Sequence, residues 1–397
     1  MPFEQIGHSA ANRLWRQNVG TVVQSSGVRS AVISDLHLGA LNGADMLRRP
    51  GALERLIAAL EGAERVVLLG DSLELRERPV AALLELVRPV FDQLAPALAG
   101  KRVTLVPGNH DHQLGQPWLI RAQVAGRPLG SENEWPVTGA QTDGAAGVLA
   151  SWLPRSEVTL AYPGLMLESG VYATHGQYLD LYLTVPRVES IMASVVARVA
   201  GRTGEGAGAD DFEAVVAPIY GFHAGMAQGA TGAALARGAT VSRSVWSHAT
   251  GNGRLGRLLV GRVTIPAAVA TLNRLKVGPF SAALSGEELR RAGLLAMGRV
   301  ADALAPDAEH VLFGHTHRAG PLPGDDWAKW STLAGKRLWN SGNWYLESAF
   351  VSDMNERSPY WPGTVVWVEP GRAPRIENAL RGYAAAGTGS DAGVANA

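Results

Sequence analysis

The sequence predicts a mixed α/β fold, and three observations predict it. Short runs of apolar, β-branched residues alternate with longer runs whose apolar positions recur at helical spacing. Each early strand-like run stops where glycine and polar residues stand. Hydrophobic residues make up 46% and charged residues 18% of 397 residues, a globular composition.

Residues 28–34 (VRSAVIS) predict a buried strand that ends at Asp35. Residues 52–60 carry helical periodicity, with Gly62 as the stop. Arg65–Leu69 predicts a second strand, ending at Gly70-Asp71. Residues 80–99 predict a helix kinked or broken at Pro89 and Pro96. Arg102–Val106 predicts a third strand, ending at Pro107-Gly108-Asn109. Later, residues 165–174 read as one strand running into His175, and residues 309–313 as another running into Gly314-His315. Residues 337–340, 345–351 and 364–368 read as a closing β-meander.

Residues 180–300 differ in character. They are rich in Ala, Gly and Arg, with helical stretches over 187–199 and 287–304 and a glycine-rich break at 201–210. The expected organisation is therefore a core over 28–179 and 301–382, an inserted helical cap over 180–300, and a disordered tail over 383–397.

Lys+Arg and Asp+Glu both total 36, which does not favour a dedicated nucleic-acid binder. Cysteine is absent, so disulfides and thiolate metal sites are excluded, and any metal must be held by oxygen and imidazole. The first residues lack an apolar leader, and no run is apolar and charge-free enough to span a bilayer. Residues 181–200 come nearest but carry Arg187, Glu189 and Arg198. A cytoplasmic protein is expected, with a peripheral membrane contact left open by the apolar cap.

The strand ends carry the chemistry. In order they are Asp35-Leu36-His37, Gly70-Asp71, Gly108-Asn109-His110-Asp111, His175-Gly176 and Gly314-His315-Thr316-His317. Residues two apart on an extended segment point the same way, so D-x-H and H-x-H each present two ligands together. Any one of these motifs is weak alone; their joint occurrence, all at strand ends, is the signal. Asp35, His37, Asp71, Asn109, His175, His315 and His317 exceed the ligands one tetrahedral ion needs, and His110 is left over. Two divalent ions sharing a carboxylate would use the set, and its hard oxygens and imidazoles suit Mn, Fe or Zn.

This pattern resembles the calcineurin-like metallophosphoesterases over residues 28–177 and 310–368. The later Asn340-Ser341-Gly342-Asn343-Trp344 is similar to a segment that follows the final histidines in that family. The resemblance implies a β-sandwich flanked by helices and a dinuclear phosphoesterase. It implies that Asp35, His37 and His317 hold one ion, that Asn109, His175 and His315 hold the other, and that Asp71 bridges them. His110 would face the scissile phosphate as general acid, oriented by Glu74 or Asp111. Arg318, next to the last ligand, would contact a phosphate. His112 is expected to be exposed and inert, and His8, His223, His248 and His310 to be structural or exposed.

Gly70-Asp71-Ser72-Leu73-Glu74 departs from the protein phosphatase pattern, and no tyrosine follows Asp71 as in purple acid phosphatases. Gly-Asp-x-x-Glu and Gly-His-Thr-His-Arg are similar to the UDP-2,3-diacylglucosamine pyrophosphatase branch, which carries arginine where His110 stands. A small-molecule or lipid-linked phosphoester is thus the expected substrate. The alternatives are a DNA nuclease of the same family and a catalytically silent metal-binding scaffold.

Overall fold

A computed structural model describes residues 27–185, 188–199, 201, 208–228, 274, 286–347, 350–351 and 354–383. Most of the expected tail, His8, His248 and a large part of the expected cap lie outside these residues.

The first three strands, β1 (Ser30–Ile33), β2 (Arg65–Leu69) and β3 (Arg102–Val106), are parallel neighbours. They belong to a seven-stranded sheet that also contains β4 (Glu134–Pro136), β5 (Glu157–Ala161), β11 (Thr364–Val368) and β12 (Arg375–Asn378). Its order is β12-β11-β1-β2-β3-β5-β4. A second sheet contains β6 (Gly164–Met166), β7 (Val171–Thr174), β8 (His310–Phe313), β9 (Ala319–Gly320) and β10 (Arg337–Ser341). Its order is β6-β7-β8-β10-β9, with β7, β8 and β10 parallel.

The period-two alternation of strand side chains builds two layers of core. Val32, Val67, Leu69 and Val106 of the first sheet cluster with Val171, Ala173 and Leu312 of the second, between the sheets. The alternate residues Ala31, Ile33, Val66, Leu68, Val103 and Leu105 join the larger cluster with the helices. Among the helices of that cluster are α1 (Ala52–Ala59) and α2 (Val80–Leu98), followed in the chain by α3 (Gln116–Val124) and α4 (Gly144–Trp152). The mixed α/β class with two packed sheets agrees with expectation.

Four local expectations differ. Helix α2 runs unbroken through Pro89 and Pro96. A proline inside a helix costs ~3 kcal/mol or more. Here Leu83, Leu84, Val87, Val90, Phe91, Leu94 and Leu98 are buried along one face, each contributing ~1.5–3 kcal/mol. Residues 165–174 are not one strand but the hairpin β6–β7, pairing Leu165 with Ala173. The reversal occurs at a 3-10 turn, Glu168–Gly170, where Gly170 takes φ 71°. The described residues 345–347 and 350–351 form no strand; Tyr345 makes an isolated bridge with Asp45. There is no closing meander either, because β10 lies in the second sheet and β11 pairs with β1 in the first. Alternation predicts a strand without naming its partner.

Within residues 180–300 the described helices are α5 (Val188–Val199), α6 (Ala209–Gln228) and the start of α7 (Gly286–Leu304). Among the described residues no helix is long and apolar enough to cross a membrane.

Candidate metal centre

The loops that leave β1, β2, β3, β7 and β8 at their carboxyl ends converge. Asp35, His37, Asp71, Asn109, His175 and His315 are all buried there, and His317 is partly so. Asp35, His37, Asp71, His315 and His317 have φ between 44° and 65°. A left-handed non-glycine residue costs of order 1–3 kcal/mol and persists where surrounding structure compels it. Five of the six such residues among those described are therefore candidate ligands.

The strain is held by close backbone packing. Gly70 has φ 83°, and a Cβ there would lie 2.2 Å from His175 Nδ1. A Cβ on Gly108 would lie 2.3 Å from Asp71 Oδ1. Asn343 donates to the His317 carbonyl at 2.7 Å, Asn340 to the Gly314 carbonyl at 2.9 Å, and the Trp344 N–H to the Asp35 carbonyl at 3.0 Å. The Asn-Ser-Gly-Asn-Trp segment, which begins in the last two residues of β10, thus braces the histidine loop from behind.

Two clusters of ligand atoms share one carboxylate. In the first, His37 Nε2 lies 3.1 Å from His317 Nε2, and His317 Nε2 lies 3.3 Å from Asp35 Oδ1. In the second, Asn109 Oδ1 lies 3.2 Å from His175 Nε2 and 2.9 Å from His315 Nδ1. Asp71 Oδ2 lies 3.8 Å from His37 Nε2 and 3.2 Å from His175 Nε2, so it faces both.

The outward ring nitrogens are committed elsewhere. His37 Nδ1 faces Glu74 at 2.9 Å, His175 Nδ1 faces the Leu69 carbonyl at 3.0 Å, and His315 Nε2 faces Asp180 at 3.1 Å. As donors to those oxygens, the neutral rings turn lone pairs toward one another and toward Asp71 and Asn109. Lone pairs gathered in this way call for positive charge between them, supplied by protons or by a metal cation. Turned half a turn, the Asn109 amide would donate into Asp71, His175 and His315, and its oxygen would accept from Arg76 at 3.1 Å. The orientation with Oδ1 inward is therefore the one a divalent ion favours. The donor set, imidazole nitrogens with carboxylate and amide oxygens, fits divalent metal ions.

The electrostatics agree. Burial opposes charge on His175, yet Asp71 outweighs it and lifts the imidazole to about 10. Burial likewise opposes charge on His37, and Glu74 and Asp71 raise it to about 9. Burial alone would raise Asp71, but His175, His110 and His37 hold it well below the usual carboxylate range. The pocket stabilises positive charge.

His110 stands beside this centre. Its Nδ1 is 2.8 Å from both oxygens of Glu74, which also holds His37. Its backbone N–H donates to Asp71 Oδ1 at 2.7 Å. Burial, with Arg76 opposing Glu74, pushes its imidazole down. Of the two expected orienting carboxylates, Glu74 faces His110 and Asp111 does not. Asp111 instead accepts the backbone N–H groups of Gly108, Asp71, Ser72 and Leu73 at 2.7–3.2 Å, tying the loops after β2 and β3 together.

Arg318 is engaged away from the clusters. It forms a two-pronged pair with Asp325 at 2.6 and 3.1 Å and lies over Trp330. His112 is not exposed: its Nε2 lies 2.7 Å from the half-buried Glu213 of α6. His310 is buried in the second sheet, accepting from Trp339 at 3.2 Å. Sequence reasoning missed Asp180, although a H-G-x-x-x-D spacing was there to read, and missed Arg76.

Residues 28–191 match the model of the calcineurin-like phosphoesterase family. The match covers 164 of the 397 residues and includes Asp35, His37, Asp71, Asn109, His110 and His175. No curated protein matches it. The crystal structure of a cold-active protein-tyrosine phosphatase of a psychrophile, Shewanella sp., overlaps 89% of this chain and 78% of its own. Identity is 14% and the TM-score 0.29, too low a superposition to speak to either fold or activity. The matched region is thus similar to calcineurin-like phosphoesterases, and the His/Asp clusters of the chain are candidate metal sites.

Proposed function

We propose that this protein hydrolyses phosphoester bonds with two divalent ions, Mn, Fe or Zn. Its substrates are phosphodiesters or phosphoric anhydrides rather than phosphoproteins, and residues 180–300 form a cap inserted into the core. The observation that carries the reading is Asp71 Oδ2, one carboxylate oxygen within 3.8 Å of histidines from both clusters. When bound, the ions would supply an acidified water and neutralise charge on the phosphoryl oxygens.

Asp35, His37 and His317 would hold one ion, Asn109, His175 and His315 the other, and Asp71 both. Glu74 fixes the tautomers of His37 and His110 through their Nδ1–H groups. With Nδ1–H held by Glu74, His110 would act as general acid in its doubly protonated form, giving the Nε2 proton to the departing oxygen. Asp180 holds His315 in the same way from the start of the cap. The sequence Gly-Asp-Ser-Leu-Glu-Leu after β2, unlike that of protein phosphatases, argues for a small-molecule substrate.

The test is turnover of bis-p-nitrophenyl phosphate by protein loaded in turn with Mn, Fe, Zn and Mg. Asp71→Asn should lower kcat by roughly 10³-fold or more, since both ions lose their shared ligand. Metal-loaded wild type that turns over nothing in a panel of phosphomonoesters, diesters and anhydrides would end the proposal.

A further inference from the structure

A fixed cation lies beside the atom of His110 that would meet a leaving group. Arg76 follows Glu74 by two residues and its side chain is only 12% exposed. Its Nε donates to the Asn109 carbonyl at 3.0 Å, which fixes the guanidinium plane. Its Nη1 lies 3.4 Å from His110 Nε2. With Asn109 Oδ1 turned toward the imidazoles, Arg76 Nη2 finds no hydrogen-bond acceptor among the described residues. Glu189 of α5 stands 3.6 Å from Nη1, too long for a hydrogen bond.

Helix α6 roofs this cation. The Tyr220 ring centroid lies 5.7 Å from the guanidinium carbon. Tyr220 is buried, and burial together with Asp180 keeps its phenol protonated far above neutral pH. Among the described residues its hydroxyl makes no hydrogen bond. A guanidinium fork and an unspent hydroxyl therefore stand together on the side of the centre where His110 acts.

The chemistry of leaving groups decides what this arrangement suits. An alkoxide takes a proton and departs neutral, so a neighbouring guanidinium stabilises nothing lasting. A phosphate departs with its charge, and the planar fork of arginine matches two of its oxygens. We propose that Arg76 and Tyr220 form a subsite for a phosphate leaving group, so that the preferred substrates are phosphoric anhydrides, P–O–P, over diesters of alcohols. This rests on the phosphoesterase reading above. In the reaction the oxygen of water bonds to one phosphorus. The bond from that phosphorus to the bridging oxygen breaks, and its electron pair stays with the second phosphate. The products are two phosphate monoesters, and the protons of water pass to solvent.

The experiment compares wild type, Arg76→Lys, Arg76→Gln and Tyr220→Phe, all Mn-loaded. The substrates are a nucleoside diphosphate sugar and a nucleoside 3′,5′-cyclic monophosphate, a diester whose leaving oxygen is an alkoxide. Wild type should show the higher kcat/KM on the anhydride. Arg76→Gln should lower that value about 100-fold, and Tyr220→Phe about tenfold, with losses on the diester at least tenfold smaller in each case. Calorimetry with methylene diphosphonate, which cannot be hydrolysed, should show the same order of weakened binding. Tyr220→Phe removes one oxygen and no described hydrogen bond, so unchanged metal content and melting temperature separate its effect from a collapsed site. Equal losses on both substrates in Arg76→Gln and Tyr220→Phe would overturn the subsite while leaving the phosphoesterase reading intact. Turnover of the diester with none of the anhydride would do the same, and turnover of neither would remove both.

Discussion

Glu74 sits between two imidazoles, 2.9 Å from His37 Nδ1 and 2.8 Å from His110 Nδ1. Burial opposes its charge, but His110 and His37 hold the carboxyl well below its usual range. One carboxylate thus orients a candidate ligand and the candidate general acid together. Glu74→Gln keeps the shape and loses the charge. It should weaken metal binding about 10–100-fold and lower kcat about 100-fold at saturating metal. Metal titration and steady-state rates measure the two effects separately. Asp180 acts on one ring only, His315, at 3.1 Å. Asp180→Asn should therefore weaken metal binding about tenfold while restoring nearly full kcat once metal saturates. Asp35, His37, Asp71, Asn109, His110, His175, His315 and His317 were all legible as strand-end motifs, because ligand chemistry restricts residue type. Arg76 was not, since one arginine in a loop carries no distinguishing pattern, and Asp180 went unread although it follows His175-Gly176 by a fixed spacing. Arg318 shows the same point in reverse: adjacency to a ligand said nothing of Asp325, which takes its charge.

At the scale of elements, α6 is fastened to the core by one half-buried acid. Glu213 accepts from Tyr162 at 2.5 Å and Tyr178 at 2.8 Å, and lies 2.7 Å from His112 Nε2. Burial raises this carboxyl, yet His112 and the two phenols outweigh burial and lower it. A carboxylate lowered in the folded state stabilises the fold fully above its unfolded value of about 4.5, and that contribution fades as pH falls below it. Glu213→Ala leaves three polar partners without an acceptor and should cost about 3 kcal/mol at pH 7. Denaturant melts of wild type and Glu213→Gln should differ by a constant amount above pH 5 and converge as pH falls toward 3. The same element scale explains what the sequence hid. Helix α2 passes through Pro89 and Pro96 because tertiary burial overrides a local rule. The hairpin β6–β7 was hidden because its turn residues, Glu168–Gly170, interrupt an otherwise continuous apolar run. The sequence of α6 offered only helical periodicity; that Glu213, Tyr220 and His223 lie near the centre depends on how the helix docks.

For the whole molecule, five loops from two sheets must meet at one point, and five candidate ligands sit at positive φ when they do. Strain of that kind is offset when a ligand binds the folded state alone. Divalent ions at 100 times their dissociation constant would add ~2.7 kcal/mol per site. Chelator should thus lower the melting temperature by several degrees, and Mn should restore it. The layered α/β class followed from the alternation of elements, and the gathering of strand ends followed from the parallel order of β1, β2 and β3. The pairing of the later strands did not, because register and partner are set by contacts far apart in the chain. The claim on which the rest depends is that Asp71 joins two ion sites. Elemental analysis of the purified, Mn-loaded protein measures it directly. The account predicts about two ions per chain in wild type and a loss of both tight sites in Asp71→Asn. One ion per chain at full activity, or two ions retained tightly by Asp71→Asn, would contradict it.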